Sequence, residues 1–340
     1  MPRQARIDAP GALDHIIARG IERGKVVRDD QDRDFFVTRL GDLVVRTQTK
    51  CLAWALIPNH FHLLLKTGTE PIAGLMRRLL TSVAVTHNRR HGRSGHVFQN
   101  RYKSILCQED AYLKALVRYI HLNPLRSGIV KDIGALDRYR FAGHSFILGK
   151  EKNAWQSVNE VLAHFGPKKR VARGAYREFV IAGIELGRQP DLVGGGLIRS
   201  AGGWAAVRSQ RKAGLFQKSD ERILGDGDFV DAVLNNAQAS LDKRHSLAAK
   251  GIQFEDLFAA VSALLSVQPR NLLGPSKERT IVKARALCCY WAVRELGMSM
   301  RNVAGRLKIA GPTVSVAVKK GGKIVSDEGL VLSDVLNIRI

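Results

Sequence analysis

Apolar positions along the first 130 or so residues switch between two periods. Leu13-Asp14-His15-Ile16-Ile17-Ala18 reads as a strand closed by a basic turn, Arg19 to Gly24. Phe35, Phe36, Leu40 and Leu43 then recur as one face of a helix over Asp29–Leu43, with Asp29 or Asp30 as its cap. Cys51–Ile57 and His60–Lys66 are apolar runs separated by Pro58-Asn59, the pattern of a hairpin. Thr69 is positioned to cap the next helix, with Pro71 in its first turn; Ile72, Leu75, Met76, Leu79, Leu80 and Val83 form its apolar face, and it ends near Gly92. Arg93 to Lys103 is basic and carries interleaved aromatics, the composition either of a stretch that grips phosphates and stacks bases or of a solvated loop with an edge strand. Asp110–Asn123 is a further helix, with Leu113, Leu116, Val117 and Ile120 facing the core and Pro124 ending it. The order strand, helix, hairpin, helix, strand, helix predicts an α+β sandwich.

Beyond Ser145 the periodicity is weaker. Trp155–Phe165 and Tyr176–Leu186 are short helical segments separated by the basic Pro167-Lys168-Lys169-Arg170. Gly194-Gly195-Gly196 and Gly202-Gly203 follow no strand and read as turns, not as a phosphate loop. Periodicity returns at Phe254–Val267 and Thr280–Leu296, then in two shorter helices, Met300–Leu307 and Pro312–Lys320, joined by Lys308-Ile309-Ala310-Gly311. A short glycine-containing turn between two such helices predicts a helix-turn-helix.

Charge narrows the function. The 340-residue chain is 45% hydrophobic, enough for globular domains, yet carries 54 Lys and Arg against 31 Asp and Glu, a formal net charge of +23. That excess calls for a polyanionic partner, nucleic acid first; no amphipathic helix with a basic face and aromatic anchors argues for a membrane surface instead. No apolar run reaches the ~18 residues of a spanning helix, and the N-terminus lacks a signal-peptide core, so the expected location is the cytoplasm. Cys51, Cys107, Cys288 and Cys289 have neither zinc-site nor disulfide spacing and are expected to be buried thiols.

Candidate chemistry begins at His60-Phe61-His62. On a strand the two imidazoles share a face, about 7 Å apart at Cα, while Phe61 turns to the other side. Two histidines supply no nucleophile. Tyr119 and Asn123, four apart on a helix, bring a phenol and an amide oxygen to one face within about 6 Å at Cβ. Two neutral imidazoles and an amide oxygen make an open, mixed site suited to Mg²⁺ or Mn²⁺, and no organic cofactor is called for. Tyr102, Tyr112 and Tyr139 are the competing tyrosines; neither Tyr112 nor Tyr139 has an amide four residues on. His121 is expected to point away from Tyr119, as a packing or surface residue.

Pro58-Asn59-His60-Phe61-His62-Leu63-Leu64-Leu65, with Arg118-Tyr119-Ile120-His121-Leu122-Asn123-Pro124-Leu125-Arg126, Arg19-Gly20 and Phe98-Gln99-Asn100-Arg101-Tyr102, resembles the single-tyrosine HUH transposases, and within them the REP-associated tyrosine transposases. The resemblance implies a ferredoxin-like antiparallel sheet with helices on one face over residues 1–148. It also implies His60, His62 and Asn123 as metal ligands and Tyr119 as a nucleophile that forms a 5′-phosphotyrosine. The implied reaction is cleavage and rejoining of single-stranded DNA near hairpins, by a monomer or homodimer. A DNA-binding regulator without catalysis is the alternative. On charge, Arg89, Arg90, Arg101 and Lys103 are backbone contacts, and Arg19 joins them from the motif.

Ala284 to Leu296, with Ser299-Met300-Arg301 and Thr313-Val314, resembles the duplex-DNA-binding domain of the replication initiator DnaA. Gly311-Pro312-Thr313-Val314-Ser315 stands where the initiator carries Asp-His-Thr-Thr before the valine. The fold is therefore expected to be shared and the target sequence is not; Thr313, Ser315 and Lys319 are the duplex-contact candidates. The expected organisation is a transposase domain (1–148), a helical connector (149–248), an all-α helix-turn-helix domain (249–323) and a tail (324–340).

Overall fold

The computed structural model describes residues 11–68, 70–187, 189, 192, 220, 222–226, 228–235, 246, 247 and 249–337. The expected cap Thr69 and the glycine clusters at 194–196 and 202–203 lie outside these residues. Two units divide between Val233 and Leu234.

In the first unit, β1 (Leu13–Arg19), α1 (Asp30–Thr47), β2 (Lys50–Ile57), β3 (His60–Lys66), α2 (Ile72–Arg90), β4 (Lys103–Cys107) and α3 (Glu109–His121) follow in the predicted order. Asp29 caps α1 by accepting the Asp32 backbone N–H at 2.8 Å. The sheet order is β2-β3-β1-β4-β5, in which β5 (Ile223–Leu224) runs parallel to β4 and the other pairs are antiparallel. The first four strands give the ferredoxin-like arrangement.

Helices cover both faces, so the expectation of one covered face was incomplete. On one side Ile16, Trp54, Leu56, Phe61, Leu63 and Leu65 pack with Phe36, Leu40, Leu75 and Leu79 of α1 and α2. On the other, Leu13, Leu52, Ala55, Leu64 and Ile105 meet Leu113, Leu116, Val117 and Ile120 of α3. Both sets of alternate residues are apolar over most of the strands, and a sheet with two apolar faces needs two layers over it.

The α3 helix breaks at Leu122, and a single turn, α4 (Asn123–Arg126), restarts with Pro124 inside it. Then come α5 (Ile133–Asp137), α6 (Gly143–Leu148), α7 (Val158–Ala163) and α8 (Lys169–Ile181). Lys169 and Arg170, expected between two helices, begin α8 instead; Ala172, Tyr176 and Val180, at helical spacing, seat it in the core of the sheet domain. Residues 158–181, expected as part of a connector, therefore belong to the first unit's packing. Tyr176 is held from two sides, its hydroxyl 2.7 Å from His121 Nδ1 and 2.7 Å from His144 Nδ1. His121 is thus a packing residue, fully buried.

The second unit is helical: α9 (Phe254–Leu264), α10 (Arg279–Arg294), α11 (Met300–Leu307), α12 (Gly311–Glu328) and α13 (Leu332–Val335). The turn between α11 and α12 falls where predicted, with Lys308 left-handed at φ 53°. The α12 helix runs eight residues past its expected end, through Gly321-Gly322. A Cβ on Gly321 would lie 2.1 Å from the Ala286 carbonyl oxygen, so this glycine serves a close approach of α12 to α10 and not a stop. Leu332 is buried with Leu257, Leu287 and Trp291, so the expected tail closes the core of its unit.

Candidate active site

Strand register assembles the first part of the site. The cross-strand pairs His60–Arg19, His62–Ile17 and Leu64–His15 align β3 with β1, and Ile17 also faces Lys103 of β4. Cross-strand partners share a face, so His15, His60, His62, Arg19 and Lys103 project on the side that α3 covers. The two predicted histidines lie with ring centroids 5.2 Å apart.

Each of them is held through Nδ1. His60 Nδ1 is 2.7 Å from Asn59 Oδ1, and His62 Nδ1 is 3.0 Å from His15 Nε2. An amide oxygen only accepts, so His60 must carry its proton on Nδ1, which leaves the Nε2 lone pair for another partner. With His62 donating to His15, its Nε2 is in the same state. Burial, then the charge of Arg19, pushes the His60 pKa down to about 4; burial, then His15, His60 and Arg19, holds His62 well below the imidazole range. Both rings are neutral at physiological pH, as metal ligands must be.

The α3 helix supplies the second part. Leu113, Leu116, Val117 and Ile120 anchor it to the sheet, and Tyr119 lies at the border of that stripe, half-buried against the histidines. Its ring centroid is 5.6 Å from His62 and 6.0 Å from His15, each edge-on. Asn123 donates from Nδ2 to the Tyr119 carbonyl at 2.8 Å. Seven residues after Tyr119, the Arg126 guanidinium lies 5.6 Å from its ring centre, with one Nη bonded to the Gly183 carbonyl at 3.1 Å. Nε and the other Nη of Arg126 are buried without a hydrogen-bond partner. Burial raises the Tyr119 pKa, while Arg126 and Asn123 pull it back.

The remaining predicted contacts separate into groups. Arg19 and Lys103 border the histidine face. Arg101 is exposed in the segment after α2, and Arg89 is exposed on α2, across the sheet from the histidines. Arg90 is paired with Asp29 at 3.0 Å and with Asp32, ties that hold α2 to α1 and occupy the charge expected for a DNA backbone. Tyr139 bonds the Leu56 carbonyl at 3.2 Å, a packing role.

Two functional candidates had gone unassigned. His15 lay within a predicted strand two residues from Ile17, and the alternation that pairs His60 with His62 marks its face as well. Arg126 continues the spacing of Tyr119 and Asn123 by one more turn.

In the second unit, Thr313 is exposed in the first turn of α12, and Ser315 and Lys319 are part-exposed farther along it. Thr313 lines a cavity of about 570 Å³ with Lys277, Lys308 and Arg285. Arg285 is only 5% exposed, and its Nε and one Nη have no hydrogen-bond partner. The result is a basic recess at the N-terminus of the second helix of the helix-turn-helix, where the helix dipole adds positive potential.

Comparison with known proteins gives three matches. A 111-residue stretch is 26% identical to the chromosomal replication initiator protein DnaA of Pseudothermotoga lettingae, covering 33% of this chain and 24% of the initiator. The chain thus spans about a quarter of that relative's length. A solved structure of a REP-associated tyrosine transposase bound to a REP hairpin is 15% identical, with a TM-score of 0.37, covering 44% of this chain and 87% of its own. Residues 12–123, the stretch that holds His15, His60, His62, Tyr119 and Asn123, match the family of IS200-like transposases.

Proposed function

We propose that the protein is a transposase that cuts and rejoins single-stranded DNA through Tyr119, with a divalent metal, Mg²⁺ or Mn²⁺, held by His60, His62 and Asn123. The observation that carries this reading is the convergence of Tyr119 with a pair of neutral, Nδ1-tethered histidines on one face of the sheet. The donor set fits such an ion, because both imidazoles are held through Nδ1, which leaves Nε2 for a metal, and Asn123 adds an amide oxygen. Bound there, the metal would polarise the scissile phosphate and stabilise the leaving oxygen.

The chain's own residues do the rest. Arg126 presents two unpartnered N–H groups beside the Tyr119 ring, where they bind a phosphate oxygen and favour the phenolate. The phenol loses its proton, Oη bonds to phosphorus, and the 3′ oxygen departs as a hydroxyl, leaving a 5′-phosphotyrosine. A second 3′ hydroxyl attacks that linkage and releases Tyr119, so no water or nucleotide is consumed. Arg19 and Lys103 bind the flanking backbone, and the basic recess around Arg285 and Thr313 grips the phosphates of duplex DNA.

The test is an end-labelled hairpin oligonucleotide from the DNA flanking the gene, incubated with Mn²⁺ and with wild type or Tyr119→Phe. A covalent protein–DNA band is expected for wild type and none for the variant. A band that persists in the variant refutes Tyr119 as nucleophile. Hairpin binding without any band in wild type supports a regulator that only binds.

A further inference from the structure

A second group of ligand-type side chains lies across the sheet from the histidine pair, where α1 begins and α2 ends. His87 is 2% exposed, and neither of its ring nitrogens has a hydrogen-bond partner. The Val26 backbone favours the protonated ring weakly without a hydrogen bond of ordinary geometry. A buried imidazole left this way is costly and calls for an explanation. Its Nδ1 is 3.9 Å from Asp32 Oδ2, too far for a hydrogen bond. One turn on, His91 places Nε2 2.8 Å from the same oxygen, and the two imidazoles are 4.6 Å apart at their centroids.

We propose that Asp32, His87 and His91 form a zinc-type divalent cation site that fastens the start of α1 to the end of α2. One ligand atom from each lies within 4.8 Å of the other two. Around a tetrahedral ion with bonds of about 2.0–2.2 Å, ligand atoms sit roughly 3.4 Å apart, so the long contact closes and the short one opens by about half an ångström each. His91 is part-exposed, which leaves a fourth position for water.

The surroundings already have the form of an outer ligand shell. Asp32 Oδ1 is held by Arg90, and the Arg28 backbone N–H donates to Oδ2 at 2.9 Å. Partners of this kind orient a ligating carboxylate. Arg90 is itself neutralised by Asp29, which it reaches at 3.0 and 3.1 Å. Two nitrogens and one carboxylate suit zinc better than magnesium, which prefers oxygen. The site is also independent of whether Tyr119 performs catalysis.

Metal-free full-length protein should be titrated with ZnCl₂ and, separately, with CoCl₂, in three forms: wild type, His60→Ala and the double variant His60→Ala with His91→Ala. The His60→Ala form removes a ligand of the other histidine pair and isolates this site. It is expected to bind one zinc, to show the intense visible bands of four-coordinate cobalt, and to gain thermal stability on zinc addition. His91, part-exposed, can be truncated with less risk to the fold than His87. Adding His91→Ala to His60→Ala should weaken that zinc binding by at least about tenfold and abolish the zinc-induced Tm increment. The proposal is overturned if His60→Ala binds no zinc, or if the double variant matches His60→Ala in affinity and increment.

Discussion

At the residue scale, His15 carries the clearest untested consequence. It is buried, it lies diagonally across from His62, and its Nε2 fixes the ring that the proposed metal needs. Replacing it with Phe keeps the apolar volume and removes the tether. Outer partners of metal-bound histidines are worth about 10–100-fold in affinity or activity. His15→Phe should therefore slow adduct formation by roughly that factor and raise the Mn²⁺ concentration for half-maximal rate. His15→Gln, which can still accept a hydrogen bond, should recover part of the loss. An unchanged Mn²⁺ requirement in both variants would show that the contact is packing alone. The residue escaped sequence reading because a single histidine in an apolar strand has no partner at helical or strand spacing. Its partner is 47 positions away and appears only when β1 and β3 come into register.

At the element scale, the strands and long helices were legible because their apolar periods differ and because Asp29, Pro58-Asn59 and Pro124 mark their ends. Legibility failed where an end signal had another use. Gly321-Gly322 looks like a terminator, but the backbone of α10 requires it to be small. Gly321→Leu is expected to destabilise the second unit by at least about 1–3 kcal/mol, since the side chain would displace backbone and not a flexible tip. Gly305→Ala, whose Cβ would meet nothing within 4 Å, should instead be neutral or slightly stabilising. Chemical denaturation of the two variants checks the contrast; equal stabilities would mean that α12 bends away from α10 at little cost. The start of α8 misled for a related reason. Its basic first turn reads as a linker, while the residues that make it a helix, Ala172, Tyr176 and Val180, follow that turn.

At the scale of the whole molecule, buried histidines set the response to acid. Burial chiefly holds His60 and His87 at about 4, and depresses His62, His121 and His144. These groups stay neutral in the folded chain while the unfolded chain takes up protons near pH 6.5. Between those values the unfolded state binds more protons, so stability falls as pH falls, fastest from about 6.5 toward 4. The Tm in metal-free buffer should drop across that window, beyond what replacing His60 and His87 by Gln leaves behind. A Tm that is flat from pH 6.5 to 4.5 would contradict the assigned burial. The charge of +23 matters at this scale too: it is spread over both units and, under the proposed function, would draw DNA to the chain before any particular phosphate is seated.

Synthesis of the chain adds a constraint of timing. The four antiparallel strands are complete once Cys107 is made, yet the outer side of β4 is paired, among the described residues, at Leu106 and Cys107 by Ile223 and Leu224. More than a hundred residues must leave the ribosome before that side is closed. A nascent chain in this interval shows a strand with open backbone groups to any neighbour able to pair with it. The two-residue β5 is therefore a late seal, and its absence should appear as aggregation during expression before it appears as lost chemistry.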